Sequence, residues 1–200
     1  MKITTNNRII LASESPRRKE LFGRLGIPFE IQASGVSEEI EQELSPEEFT
    51  LAIATKKSDE VVQGNEDAIV IAADTTVYLG EKLLTKPVDS NQAKEFLQAL
   101  SGQEHRVITG VSIQGAGISI GFTETTAVQF YELTEEQIDA YVASGDSLDK
   151  AGAYGIQTMG GMFVEKINGD YNNVVGLPLG RLFQTLLTLK VIQLEKEISE

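Results

Sequence analysis

Ser13-Glu14-Ser15-Pro16-Arg17-Arg18 sets two guanidiniums directly after the apolar run Ile9-Ile10-Leu11-Ala12. Ser15 is a good helix N-cap and Pro16 suits the first helical position, so the segment reads as strand, tight turn and helix start. A helix N-terminus presents unpaired N–H groups and about half a positive charge, which makes it a ready anion site. Arginine opposes that dipole, so a helix built for stability alone would carry Asp or Glu there. Bidentate guanidinium–phosphate geometry explains the choice better. The alternative is that Arg17 and Arg18 are solvated or pair with Glu14 and Glu20.

Asp74 closes the unbroken apolar run of residues 68–73, which reads as a strand buried on both faces. In open α/β sheets ligands sit outside the carboxyl ends of the strands, and this position is expected to be such an end. The carboxylate then either holds a divalent cation, accepts a proton from water, or caps the next turn; local sequence leaves all three open. The single histidine, His105, has no G-x-S-x-G nucleophile turn to work with, so a structural hydrogen-bonding role is expected of it. Neither Gly80-Glu81-Lys82 nor the glycines at 152, 155, 160 and 161 fit a P-loop or a dinucleotide-binding turn.

These residues need elements to hold them. Residues 8–13 read as a strand and feed the helix of Leu21, Phe22 and Leu25, which Gly26 ends. Ser45-Pro46-Glu47-Glu48 is a capping box opening a helix to about Val62, with Lys56 and Lys57 in its far turns. Val77 to Leu79 continue an extended segment to a turn at Gly80. A helix from Asp89 or Ser90 carries Ala93, Phe96, Leu97 and Leu100 and stops at Gly102. Residues 107–113, 117–122 and 125–130 read as three strands of a meander, and Thr134-Glu135-Glu136-Gln137 opens a helix that Gly145 ends. The glycines of residues 149–161 permit close backbone approach to something bound. Residues 163–167 read as a strand before an Asn168-Gly169 turn, and residues 179–194 as a final helix.

The chain has 200 residues and a formal charge of −13, which excludes a basic nucleic-acid-coating protein. With 41% hydrophobic and 24% charged residues it is an ordinary core-forming composition. Such an acidic protein repels anions at long range, so handling one requires gathering its cations at one place. The absence of cysteine removes disulfides, thiol nucleophiles and Cys-ligated zinc. No run approaches the ~20 apolar residues of a membrane span and residues 1–7 lack a secretory layout, so a cytoplasmic protein is expected.

Taken together the motifs resemble the Maf family of nucleoside triphosphate pyrophosphatases, once described as septum-formation inhibitors. Leu11-Ala12-Ser13-Glu14-Ser15-Pro16-Arg17-Arg18 is similar to the family's N-terminal signature, and Ala72-Ala73-Asp74-Thr75 to its acidic strand end. Lys86-Pro87, Leu100-Ser101-Gly102 with His105, and Thr109-Gly110-Val111 follow in the family's order. Asp149-Lys150-Ala151-Gly152-Ala153-Tyr154-Gly155-Ile156-Gln157, Gly169-Asp170-Tyr171 and Val175-Gly176-Leu177-Pro178-Leu179 resemble the branch acting on dTTP and UTP.

The resemblance implies hydrolysis between the α- and β-phosphates, giving a nucleoside monophosphate and pyrophosphate with a divalent cation, Mg²⁺ or Mn²⁺. It assigns Asp74 as proton acceptor and Ser13, Arg17, Arg18, Glu38, Lys57 and Lys86 to the polar active-site set, of which Ser13, Arg17, Arg18, Lys57 and Lys86 are the expected substrate-binding residues. By their chemistry Glu38 and Asp74 are a hard-oxygen pair suited to holding the cation, which is an alternative use of Asp74 to accepting the proton. Arg17, Thr75 and Gln157 match positions tied to base choice. Lys56 is the neighbouring alternative to Lys57, and Thr158 and Met159 depart from the family's glycine or leucine. The Gln157 amide complements O4 and N3–H of thymine or uracil; Tyr154 either stacks on the base or packs in the core.

The expected fold is mixed α/β, an elongated twisted sheet flanked by helices in a single domain over residues 1–200, with two lobes around a central active-site cleft. The implied partners are the nucleotide and a second copy of the chain in a homodimer, with no nucleic acid and no membrane. The competing reading is a non-catalytic nucleotide-binding regulator of cell division that senses rather than cleaves.

Overall fold

Two apolar runs, at residues 9–12 and 68–73, lie side by side in the computed structural model, which describes residues 2–40 and 42–195. In chain order the elements begin with β1 (Lys2–Thr4), β2 (Arg8–Ala12), α1 (Pro16–Gly23), β3 (Glu30–Ile31) and α2 (Pro46–Val62). There follow β4 (Ala68–Leu79), β5 (Lys82–Leu84), α3 (Ser90–Leu100), β6 (Glu104–Gly115) and β7 (Ile118–Phe130). The chain continues with α4 (Glu135–Ala143), β8 (Val164–Asn168), α5 (Tyr171–Val175), α6 (Leu179–Thr188) and β9 (Gln193–Glu195). The fold is mixed α/β. A seven-stranded sheet runs β3-β2-β4-β6-β7-β8 with β5 on β4, and β1 pairs with β9 in a separate ribbon. No described helix is long and apolar enough to cross a membrane.

The chain divides into two compact units. The first holds the described residues of Met1–Asp74, Gly110–Thr123 and Gly176–Glu200. Its parallel pair β2–β4 runs in register from Arg8↔Ala68 to Ala12↔Ala72, the arrangement that demands uninterrupted apolar strands. One face, Ile10, Ala12, Ala68, Val70 and Ala72, packs against Val61 and Val62 at the end of α2. Burying each larger aliphatic side chain of this kind contributes roughly 1.5–3 kcal/mol. Gly110 of β6 lets α2 approach: a Cβ there would stand 2.7 Å from the Leu51 Cα.

The second unit holds Thr75–Thr109 and Glu124–Val175. Val77, Leu84, Phe96, Leu97, Leu100, Val107, Val128, Phe130, Ile138 and Tyr141 form its core. The Gly80 turn folds β5 antiparallel onto β4, with Val77 opposite Leu84, and β8 lies antiparallel to β7.

Three expectations are corrected. Asp74 does not end a strand, because β4 runs on through it to Leu79, sustained by the β-favouring Thr75, Thr76 and Val77. The segments 117–122 and 125–130 are one strand, β7, with Thr123 and Glu124 inside it. The final helix stops at Thr188, six residues short of expectation. Lys190 takes the left-handed conformation (φ 57°), and the Val191 N–H reaches back to the Leu186 carbonyl, closing the helix without the usual glycine. Residues 193–195 then pair with β1.

Candidate functional site

Within the first unit β2 delivers Ser13, almost fully buried, to the start of α1. Ser15 caps that helix through the Arg18 N–H, and no acidic residue stands in the first turn, so the N-terminal charge is left to the two arginines. Ser13 Oγ accepts from the Ser15 N–H at 3.2 Å and from Arg18 Nη1 at 3.5 Å. Arg18 Nε donates to the Gly176 carbonyl at 2.8 Å, tying the N-terminal motif to the segment preceding α6. Burial pulls the Arg18 guanidinium below its ordinary pKa; Asp74 and Glu38 pull it up, and Arg17 pushes it down. Arg18 stays a cation, within electrostatic reach of both carboxylates. Glu20 is taken by Arg24 at 2.9 Å.

The carboxylates come from opposite kinds of structure. Asp74 stands on β4 with only 6% of its surface exposed, while Glu38 lies on an irregular segment between β3 and α2, its side chain 58% exposed. They converge on one ammonium. Lys57 Nζ donates to Asp74 Oδ1 and to Glu38 Oε1, each at 2.7 Å. Lys57 is delivered by α2, whose start is fixed by the reciprocal Ser45–Glu48 capping box with Pro46 in the first turn. Helix geometry gives the adjacent lysines different partners, because neighbouring side chains diverge by about 100°. Lys57 faces Asp74, and Lys56 Nζ instead binds the carbonyls of Ser37 and Glu39.

No trio of His, Asp or Glu side chains among the described residues is arranged to hold a metal ion. The Glu38–Asp74 pair is nevertheless a hard-oxygen set of the kind that suits Mg²⁺ or Mn²⁺. Such an ion commonly takes one or two protein carboxylates and draws its remaining ligands from substrate phosphates and water. The pair suits a cation that takes most of its ligands from elsewhere, not a dedicated cage.

Ser13, Arg18, Glu38, Lys57 and Asp74 are thus brought together, with Arg17 beside Arg18 on α1. Thr75, Lys86 and Gln157 belong to the second unit. There the Thr75 hydroxyl shares a hydrogen bond of 2.9 Å with that of Thr109, which in turn bonds the Asn173 carbonyl. Lys86 is exposed just before α3. Gln157 is exposed on a turn closed by the Thr158 N–H on the Gly155 carbonyl.

A set of side chains whose joint role the sequence reading did not single out anchors that turn. Tyr141 donates to Asp146 Oδ2 at 2.6 Å and accepts from the Gly155 N–H at 3.1 Å, and the Thr158 hydroxyl also donates to Asp146. Lys150 Nζ bonds the Asp146 carbonyl at 2.6 Å and the Asp146 and Asp149 carboxylates. The sequence signals were Asp149-Lys150 and Gly155 of the motif at residues 149–157 and Thr158, which departs from the family's pattern and supplies the hydroxyl. Tyr154 packs in the core at 5% exposure, edge-on to Phe130 and His105, and is not a base-stacking platform. His105 is structural as expected: it is buried, Nε2 and the Tyr154 hydroxyl share a hydrogen bond of 2.8 Å, and desolvation lowers its pKa to about 4.

The chain is similar to known proteins over nearly its whole length. A family model described as Maf-like protein matches residues 8–189. A dTTP/UTP pyrophosphatase of Bacillus cereus (strain AH820) is 51% identical over 179 residues, 90% of this chain and 94% of that protein. The protein of the same description from Bacillus thuringiensis subsp. konkukian (strain 97-27) matches with the same identity and coverage. Among solved structures, the Staphylococcus aureus Ham1 protein aligns with a TM-score of 0.45 and 17% identity, over 92% of this chain and 99% of that one.

Proposed function

Because the chain belongs to the Maf family, we propose that it is a nucleoside triphosphate pyrophosphatase acting on dTTP and UTP. The bond between the α- and β-phosphates is cleaved, giving the nucleoside monophosphate and pyrophosphate. The observation that carries this reading is the meeting of Glu38 and Asp74 on the Lys57 ammonium in the first unit, with Arg18 within electrostatic reach of both carboxylates. The substrate choice is supported by relatives described as dTTP/UTP pyrophosphatases.

In a molecule of charge −13 a triphosphate is held only where cations are concentrated. Phosphoryl transfer is accelerated mainly by positioning and by neutralising charge that spreads over the phosphate oxygens. Arg17, Arg18, Lys57 and Lys86 supply that positive charge, and Ser13 a hydroxyl. Asp74 accepts the proton of the attacking water. As the new P–O bond forms, the bridging P–O bond breaks and its electron pair leaves with pyrophosphate. In the alternative use of Asp74, it would join Glu38 in holding a divalent cation that neutralises the developing charge and activates the water. When a nucleotide binds, Lys57 exchanges a carboxylate for phosphate oxygen, which frees Asp74 for its role. Gln157 pairs with O4 and N3–H of the base, and Arg17 and Thr75 complete base selection. We further place the reaction in the cytoplasm and assign the enzyme as a homodimer, on the family resemblance and the cysteine-free composition.

The test is product analysis by phosphorus NMR of dTTP incubated with the protein and Mg²⁺ or Mn²⁺. Equimolar dTMP and pyrophosphate support the reading. Formation of dTDP and inorganic phosphate contradicts the cleavage position, and tight binding of dTTP without turnover supports the regulator reading instead.

A further inference from the structure

Glu38 lies on a segment without helix or sheet hydrogen bonds, yet its carboxylate is delivered to a defined place beside Asp74. Fixing an irregular segment costs backbone entropy at every residue, so something must hold it. The holding groups are on one face of α2. Lys56 Nζ donates to the carbonyls of Ser37 at 3.0 Å and Glu39 at 2.9 Å, the two residues that flank Glu38. Glu60, one helical turn on, accepts the Gly35 N–H at 2.8 Å. The loop's own contacts are local: the Val36 N–H on Ser34 Oγ and the Glu39 N–H on Ser37 Oγ.

We propose that Lys56 is a positioning residue: with Glu60 it latches the backbone around Glu38 to α2, so that the Glu38 carboxylate stands ready beside Asp74. The chain carries 30 acidic side chains against 17 lysines and arginines, so carboxylate partners for a lysine abound. A lysine that instead binds two neutral carbonyls on either side of one glutamate does little for charge balance; it sets the direction of the residue between them. Consecutive lysines then have separate tasks. Lys57 touches the carboxylates and Lys56 governs where one of them lies. The role in metal capture rests on the proposed activity; the backbone latch does not.

The experiment compares Lys56→Met, which keeps the stem and removes the ammonium, with Lys56→Arg, which can still bridge two carbonyls, and with Glu60→Ala. Amide hydrogen exchange of the metal-free protein reads the latch, and the Mn²⁺ dependence of dTTP hydrolysis reads its consequence. Lys56→Met is expected to speed exchange of the amides at 35–39 selectively. It should raise the half-saturating Mn²⁺ concentration about tenfold, as loss of a group that orients a ligand does, with kcat at saturating Mn²⁺ little changed. Lys56→Arg should recover most of both effects, and Glu60→Ala should loosen mainly the Gly35 end. Unchanged exchange in Lys56→Met overturns the latch. Faster exchange with an unshifted Mn²⁺ dependence overturns the positioning role. If the unsubstituted protein turns over no nucleotide, the proposed function and the metal role fall together, and the exchange measurement still decides the latch.

Discussion

Lys57 Nζ stands 2.7 Å from Asp74 Oδ1, with 14% and 9% of the two side chains exposed. A pair so shielded is held by mutual attraction at low effective dielectric, and removing one member strands the other. Lys57→Met therefore leaves the Asp74 carboxylate with no ammonium partner. The expected loss is about 3 kcal/mol of stability, read by urea denaturation, together with loss of nucleotide hydrolysis. Removal of Lys2, whose ion pair with Glu195 is 64% and 48% exposed, should change stability by less than about 1 kcal/mol.

His105 makes the second unit sensitive to acid. Its pKa falls from an ordinary 6.5 to about 4 because burial disfavours the imidazolium. The unfolded chain then binds a proton that the folded one refuses between those values. Stability is full above about pH 6.5 and declines as pH falls towards 4, by up to about 3 kcal/mol. Thermal melts of the protein and of His105→Gln across this range check the point. The pH-dependent loss should be smaller in the variant, although the variant is less stable at neutral pH for want of the Tyr154 partner.

Gly110 tests how closely β6 and α2 pack. A Cβ would lie 2.7 Å from both the Leu51 Cα and the Thr50 carbonyl oxygen, and backbone cannot rotate away. Gly110→Ala is expected to cost about 2–3 kcal/mol through a forced shift of α2, visible as a lower denaturation midpoint. Gly180→Ala, where nothing lies within 4 Å, should be neutral or stabilising.

The Gln157 turn carries the prediction on base choice. Gln157→Ala should lower the preference for dTTP over dCTP by about tenfold with little effect on folding. Tyr141→Phe removes the hydroxyl that bonds both Asp146 and the Gly155 N–H. It should cost about 1–3 kcal/mol and move the same preference in the same direction, because the turn loses its anchor. Competition kinetics with the two nucleotides measures both.

Much of this architecture was legible in the residues. Apolar runs unbroken by polar residues marked β2 as a strand and the first half of β4 as a strand covered on both faces, and the Ser45–Glu48 box marked the start of α2. What remained hidden followed from contacts distant in sequence. Asp74 read as a strand end because a carboxylate after six apolar residues looks like a boundary; Lys57 on α2 is what lets it sit within β4. The end of α6 was missed because Lys190, not glycine, takes the left-handed position. The 36–40 segment has no periodicity, so only its tertiary ties reveal that Lys56 and Lys57 divide their work. The part of Tyr141 and Asp146 in anchoring the Lys150 motif was hidden for the same reason, the two reading as an ordinary helix face and loop.

The most direct measurement is pyrophosphate release from dTTP in Mn²⁺ by the unsubstituted protein and by Asp74→Asn, with circular dichroism to establish that both are folded. The account predicts steady release by the former and a fall of about 10²–10⁴-fold in the latter. Equal rates for the two folded proteins, or no release by the unsubstituted one, would contradict it.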